Sequence, residues 1–530
     1  MSKKLLVVII LICLISFFFS YFKKTEAPPC INTDEAAVTY NAYSILKTGR
    51  DEYGKLLPLR FQSFGDFKMP LQFYLSIPAV VMFGLSDFSV RLTNSLIALV
   101  FPLAVYFLAF ELFSKKRIAL LASFLSATSF GILMLSRQQH EGYTAGLLIT
   151  LTSLFFLKIL KKQSTKNCLL FFLVLFLSLF TYHSSRIFAF FFLSYGIIYF
   201  LIKKIKARNF FLIFIIVLSL FFVTDIIYSP TRIKNLLFFN NIGLGLTVSE
   251  LRGEGGTRLL YNKATISAFN LTYEYLKYFS PQFLAIDGDE NVKFGFKNLP
   301  PLTPVVYIFI FIGLYFLFKK KEKERFFILM LFLVAPFGAS LSWAGSSLTR
   351  SYFILIPAII ISAYGFYNFI RSLHPRFKTL ILLSLILLQF IFLFYSWDFY
   401  FNHYSKRAIV IRAWQCGNKE MAEYVEKNYS RFDHFYITKQ NGQPYIFLLF
   451  YLKYPPQKYQ AQANLSTSDK YGFGQVEHFD KFNFNFKQPK DLEEKAVTIG
   501  FPEDFSSSYA TNIKEIKIGT EKMFWIYENP

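Results

Sequence analysis

Residues 71–85, LQFYLSIPAVVMFGL, decide how the chain is threaded. The stretch is apolar but short, contains Pro78, and is followed closely by Asp87 and Arg91. Around it lie longer apolar runs: LLVVIILICLISFFF at 5–19, FFLIFIIVLSLFFV at 210–223 and ILLSLILLQFIFLFY at 381–395. Runs of about this length cross hydrocarbon as helices, which satisfy their own backbone hydrogen bonds. Over the 530 residues, 54% are hydrophobic and only 17% charged, well below the charged fraction of a soluble domain. The chain reads as an integral membrane protein.

Basic clusters fix its orientation. They fall at 3–4, 115–117, 161–166, 203–208, 319–325 and 371–378. Lys and Arg collect in cytoplasmic loops, so an even number of spans must separate each consecutive pair. The runs 168–181 and 187–202, 209–228 and 303–318, and 326–342 and 351–370 satisfy that rule. Before 115 there are three runs, at 5–22, 71–85 and 89–113. Three spans would turn every later basic loop outward, so 71–85 is expected to lie on the outer surface as an interfacial helix. The result is an α-helical polytopic fold with eleven spans, a cytoplasmic N-terminus and an extracytoplasmic C-terminus in the plasma membrane. The same rule accounts for the net charge of +23, and no nucleic-acid partner is expected. The run after Lys3 and Lys4 is long for a signal peptide and lacks a cleavage pattern, so residues 5–22 read as a retained span.

Three outer regions follow: a polar loop at 23–88, a large loop at 229–302, and a tail from about 398. Residues 1–397 form the expected transmembrane domain. The tail, 398–530, has no further span-length run and reads as a small α/β domain, with GNKEMAEYVEKN helical, HFYIT a strand and QPYIFLLFYLKYPP a helix ended by prolines. Short outer loops are expected at 136–142, 182–186 and 343–350. Cys13 and Cys168 lie in spans; Cys30 and Cys416 are both outside, where a disulfide between them is open.

The candidate chemistry sits in the outer loops. Asp34 and Glu35 open AAVTYNAYSILKTG, a helix ended by Gly49, with Thr33 or Asp34 as its cap. An acidic pair there is favourable to the helix dipole on that ground alone. The same loop, however, carries Lys68 and Pro70 just before 71–85. A carboxylate and a lysine at lipid depth can act as a general base and as a phosphate contact. LSRQQHEGYTAG places Arg137, His140 and Glu141 at one outer helix end, either as a solvated turn or as part of a shared polar cavity. TYHSSRIF and SWAGSSLTRSYF add Arg186 and Arg350 at the outer boundary, as anion-binding groups or interfacial anchors. DGDEN at 287–291 starts like a calcium loop, but Val292 replaces the turn glycine and Asn298 the closing glutamate. No metal site and no cofactor are expected. Asn270, Asn428 and Asn464 begin Asn-x-Ser/Thr triplets.

Asp34–Glu35, Gly49, Pro58, Lys68, Pro70, Tyr74, Phe83–Gly84, Arg91, and Arg137 with Glu141 resemble the dolichyl-phosphate-mannose protein mannosyltransferases. They also resemble the related lipid A aminoarabinose transferase branch of the GT-C type enzymes. The resemblance covers roughly residues 1–200 and continues more weakly beyond; YLKYFSPQFLAIDGDENV at 275–292 and the segment from Trp414 look like regions of bacterial lipid-carrier-dependent members. It implies sugar transfer from a polyprenyl-phosphate carrier, in contact with membrane lipid, to an extracytoplasmic acceptor, with juxtamembrane helices in the first loop. It also implies Asp34 as catalytic base with Glu35 supporting it or the acceptor, Lys68 on the donor phosphate, and Glu141 at a second acidic position that is usually Asp. The histidine that often precedes the arginine near the tenth span is missing from SSLTR. Two other readings differ in donor or class: an oligosaccharyltransferase or O-antigen ligase using a diphosphate-linked glycan, and a transporter of lipid-linked sugars. The tail lacks the Trp-Trp-Asp-Tyr-Gly signature of the former. The latter would need ionisable groups within spans, where only Glu111 and Asp225 lie close.

Overall fold

The computed structural model describes residues 2–64, 66–204, 208–228, 242–341, 346–440, 442–465, 476–506 and 513–530. Residues 229–241 of the large loop, 343–345 of the Arg350 loop and the Asp225 side chain lie outside the described residues. By contacts the chain forms two units, one of residues 1–22 and 94–399, the other of residues 23–93 and 400–530. The first outer loop thus groups with the tail.

In the first unit, α1 (Lys3–Tyr21), α4 (Asp87–Phe113, which enters this unit at Asn94), α7 (Glu141–Lys161) and α9 (Ser185–Ile202) are long and apolar enough to cross a membrane. So are Leu348–Ser372, which starts with two short turns, and Pro375–Lys406. Among the described residues these six become seven if α5 (Lys116–Thr128) and α6 (Phe130–Ser136) count as one bent span. The eleven spans of the charge argument are not reached by this measure. Several of the remaining apolar runs form helices shorter than a bilayer crossing: α8 (Thr165–Leu179), Pro304–Lys319, and Arg325–Ser340, which is interrupted at Ala335–Pro336. The helix α10 runs over 21 residues, Arg208–Tyr228.

The third expected span bends by 56° at Ser129. The cause is local. The Pro301 carbonyl accepts from both Ser129 Oγ (2.9 Å) and Gly131 N–H (3.0 Å), drawing the backbone out of the helical ladder. Gly131 is required there, because a Cβ would lie 2.4 Å from that of Pro301.

In the second unit, α2 (Thr33–Thr48) packs on α3 (Leu71–Phe83), the helix expected to be interfacial. Between them runs a hairpin of β1 (Phe61–Ser63) and β2 (Asp66–Lys68), paired Phe61 to Lys68. Phe61 and Phe73 stack at 4.1 Å and, with Val38 and Ile45, form the core of this subassembly. At 13 residues α3 is too short to span, and Gly84 at φ +63° ends it. Val81, Met82 and Phe83 at its end are exposed.

The tail builds a seven-stranded mixed sheet in the order β4-β5-β6-β3-β7-β9-β8 (Asn464–Leu465, Val476–Phe479, Phe482–Asn483, His434–Ile437, Ala496–Gly500, Glu521–Asn529, Lys514–Ile518). Central β3 pairs in parallel with β6 and β7; the other pairs are antiparallel. Helices Asn418–Asn428 and Pro444–Tyr451 pack together, and the latter also packs on α2. Cys30 and Cys416 form a disulfide across the two halves of this unit.

Candidate active site

Asn32, rather than Thr33 or Asp34, caps α2. Its Oδ1 accepts Glu35 N–H (3.0 Å), while Glu35 Oε2 accepts Asn32 N–H (3.3 Å), a reciprocal capping box. Asp34 therefore has no capping duty and lies in the first turn, 60% exposed. Lys68 Nζ, carried by β2, donates to Asp34 Oδ1. The ammonium also lies 5.8 Å from the Phe64 ring centre. Thr33 N–H donates to Gln415 Oε1 at 3.0 Å, anchoring the helix start to the tail. Asp34 and Lys68, 34 residues apart in sequence, are brought together at the first turn of α2, where the backbone N–H groups favour negative charge.

Glu35 differs sharply from its neighbour. It is 1% exposed and receives the fork of Arg91, Nε to Oε1 and Nη2 to Oε2, both at 3.0 Å. Arg91 also donates to the carbonyls of Lys24, Pro28 and Cys30. A bidentate, buried pair of this kind is a structural tie. Through it Glu35 holds the loop before α2.

A third acidic group, Glu52, carries no sequence signal beyond a second Asp-Glu pair in the same loop. It is 1% exposed. Burial, then the neighbouring Asp51, pushes its carboxyl up from 4.5 to about 8. Its N–H donates to Asn41 Oδ1 at 2.9 Å. The Asn41 amide, the Tyr445 hydroxyl and Lys68 all favour its charge, although neither carboxyl oxygen meets ordinary hydrogen-bond geometry.

The remaining expected residues belong to the first unit. Arg137 does not emerge at the outer turn; it is fully buried and donates to the Phe19 carbonyl at the end of α1. The physical reason is the helix end itself, whose carbonyls lack intrahelical partners. His140 caps α7, its Nδ1 accepting Gly142 N–H at 2.9 Å, and Glu141 is the first residue of that helix. The His140 ring lies 5.7 Å from Tyr182 and 5.5 Å from Phe294, so three loops meet on it. Arg186 bonds His183 Nδ1 at 2.9 Å and faces the Phe221 ring at 5.2 Å. Arg350 sits half-buried in the short helix Leu348–Ser351. Among the described residues, no group of three His, Cys, Asp or Glu side chains is arranged to hold one ion.

Residues 68–228 match the family described as dolichyl-phosphate-mannose-protein mannosyltransferase. No curated protein matches the sequence. In fold, the chain is similar to ArnT from Cupriavidus metallidurans in its apo state, with a TM-score of 0.54 at 10% identity over 99% of this chain and 97% of that one. The undecaprenyl-phosphate-bound form of ArnT gives a TM-score of 0.50 at 10% identity, covering 99% of this chain and 98% of that one. It is also similar to the Archaeoglobus fulgidus oligosaccharyltransferase crystallised with Zn and sulfate, with a TM-score of 0.53 at 15% identity over 84% of this chain. The match spans only 61% of that longer enzyme. The chain is thus a membrane protein with the GT-C glycosyltransferase fold, carrying over residues 68–228 the sequence pattern of the dolichyl-phosphate-mannose-protein mannosyltransferases.

Proposed function

We propose that the protein is an inverting glycosyltransferase that moves a sugar from a polyprenyl-monophosphate carrier to an acceptor hydroxyl on the extracytoplasmic side. The observation that carries this reading is the exposed Asp34 carboxylate held against Lys68 at the start of α2. Asp34 takes the proton of the acceptor hydroxyl as its oxygen attacks the anomeric carbon. The bond from that carbon to the phosphate oxygen breaks, and its electron pair leaves with the polyprenyl phosphate. Lys68 balances the charge that grows on this leaving group. Arg350 and Arg186 are further candidate phosphate contacts, and His140 and Glu141 candidate groups on the acceptor side.

ArnT, which this chain resembles in fold over 97% of that chain, has been crystallised with undecaprenyl phosphate, and this supports a monophosphate carrier. The Cys30–Cys416 disulfide supports an extracytoplasmic location for both the first loop and the tail, since such bonds persist in oxidising compartments. The N-terminus then lies in the cytoplasm, one span away.

Asp34→Asn is expected to reduce transfer from a polyprenyl-phosphate sugar by roughly 10²-fold or more. The variant should insert and unfold like the parent, because Asp34 is exposed and does not cap the helix. Parental turnover in Asp34→Asn overturns the assignment. Comparing monophosphate- and diphosphate-linked donors on the parent protein decides the carrier.

A further inference from the structure

Carboxyl groups of two kinds act on Lys68. Asp34 accepts from its ammonium and is 60% exposed, while the Lys68 side chain is only 14% exposed. Glu52 is sealed at 1% exposure, and Lys68 is the cation whose field reaches it. One aromatic wall serves both residues. The Lys68 ammonium lies 5.8 Å from the Phe64 ring centre, and that ring meets Tyr445 edge-on at 6.1 Å. Tyr445 is the residue whose hydroxyl favours charge on Glu52.

The backbone holds Glu52 in this place. Its N–H is bound by Asn41 of α2, and the preceding Asp51 is tied down on both sides. Asp51 Oδ1 accepts from the N–H groups of Tyr53 (3.0 Å) and Lys55 (2.8 Å), and its carbonyl accepts from the Gln460 amide at 2.8 Å. A buried carboxyl whose oxygens lack ordinary hydrogen bonds is destabilising, so a structural role alone does not account for it. The groups facing it are Asp51 and Tyr53 from its own loop, Tyr40 and Asn41 from α2, and Lys68 from β2. Tyr445 and Tyr459 face it from the helices Pro444–Tyr451 and Pro456–Gln462. Burial, and then Glu52, pushes all four tyrosines up, so they stay neutral while Glu52 titrates.

We propose that Glu52 is a positioning residue that acts through Lys68: uncharged, it leaves the ammonium to the phosphate of the donor, and ionised, it competes for that ammonium. The inference rests on the reading of Lys68 as the phosphate contact. Burial, then Asp51, raises the Glu52 carboxyl to about 8, so the neutral form prevails at neutral pH and the competitor appears above it. Asp34 is exposed, and an exposed ion pair is weak enough to be exchanged for a phosphate. A buried negative charge is screened far less and holds the ammonium more firmly. By linkage, a bound phosphate must in turn raise the pH at which Glu52 ionises. Each unit of that rise corresponds to about a tenfold loss of affinity across the transition.

The test titrates the full-length protein in detergent with undecaprenyl phosphate, from about pH 7 to about pH 9.5, a range that spans the Glu52 transition. The ratio of Glu52→Gln affinity to parental affinity cancels the ionisation of the probe, and it should rise by roughly fivefold or more across the range. Lys68→Met should weaken binding at neutral pH by roughly tenfold or more, as expected for a lost charge-assisted bond. In the Lys68→Met background, adding Glu52→Gln should change nothing at any pH.

A constant ratio, with Lys68→Met impaired, overturns the role of Glu52 and leaves the Lys68 reading intact. A ratio that rises equally in the Lys68→Met background means that Glu52 repels the phosphate directly, which overturns action through the ammonium. Parental affinity in Lys68→Met overturns both readings. If Glu52→Gln does not fold, Tyr445→Phe removes a hydroxyl that favours the charged carboxyl, and the fall in affinity should begin at a higher pH. A fall at the parental pH counts against the proposal.

Discussion

Adjacent carboxylates with opposite environments define the first turn of α2. Asp34 faces solvent beside Lys68, whereas Glu35 is sealed in with Arg91. Removing one partner of such a buried pair strands the other charge, at a cost of about 3–5 kcal/mol. Glu35→Gln is therefore expected to lower the thermal unfolding midpoint markedly, whereas Asp34→Asn leaves it unchanged; equal midpoints for the two would contradict this division. Glu52 yields a pH prediction. Its folded value lies above the ordinary 4.5, so the folded state retains a proton up to about 8. Its stabilisation is complete below 4.5 and is lost as pH rises through 8. The parent should lose thermal stability between about pH 5 and about pH 9, and Glu52→Gln should flatten that slope. Identical slopes would show that Glu52 does not titrate in this window. The Asp-Glu pair was legible in the sequence because it opens a helical pattern after a span. The resemblance implied a base and a helper, but the physical difference between the two was not legible, since it depends on Arg91, 56 residues away, and on an asparagine cap one residue earlier than expected.

Among the elements, α3 and the bent pair α5–α6 illustrate opposite cases. Charge parity excluded 71–85 from the spans, and α3 is a 13-residue helix packed on α2. The exclusion rested only on the positions of lysines and arginines; the short helix agrees with it, yet α8, which the same argument counted as a span, is only 15 residues long. The break at Ser129 had no comparable signal. It arises from the Pro301 carbonyl, some 170 residues further on, and from a glycine whose lack of a side chain matters only once that neighbour is in place. Gly131→Ala should meet Pro301 at 2.4 Å from its Cβ and 2.9 Å from its Cα, both parts of a rigid ring and its backbone. Overpacking of this kind costs about 1–3 kcal/mol. A lowered unfolding midpoint for Gly131→Ala, beside an unchanged one for the open-space glycine Gly245→Ala, would confirm the contact; equal midpoints would refute it. The count of spans was the least legible feature at this scale, because apolar runs report composition while helix length is set by breaks such as Ala335–Pro336.

Across the whole molecule, the grouping of residues 23–93 with 400–530 is the feature that linear reading divides most differently, since it sets boundaries by hydropathy and so separates a loop from a tail. Within the unit the tie is physical. Cys30 and Cys416 are bonded across 386 residues, Thr33 N–H meets Gln415, Tyr40 donates to the Tyr454 carbonyl at 2.9 Å, and Gln460 reaches the Asp51 carbonyl at 2.8 Å. The site loop is therefore built on the tail, and its order depends on that support. Cross-linking a long loop typically stabilises by about 2–4 kcal/mol, chiefly by restricting the unfolded chain. Cys30→Ser and Cys416→Ser should each abolish the difference in gel mobility between reduced and oxidised protein, and each should lower the unfolding midpoint by a similar amount. The double variant should be no less stable than either single one, because one bond is lost in all three. Cys13→Ser is the control, a buried cysteine without a disulfide, and it should leave the mobility difference intact. Should the single variants retain that difference, or the double variant prove additive, the first loop is not covalently joined to the tail and the support for Asp34 rests on hydrogen bonds alone.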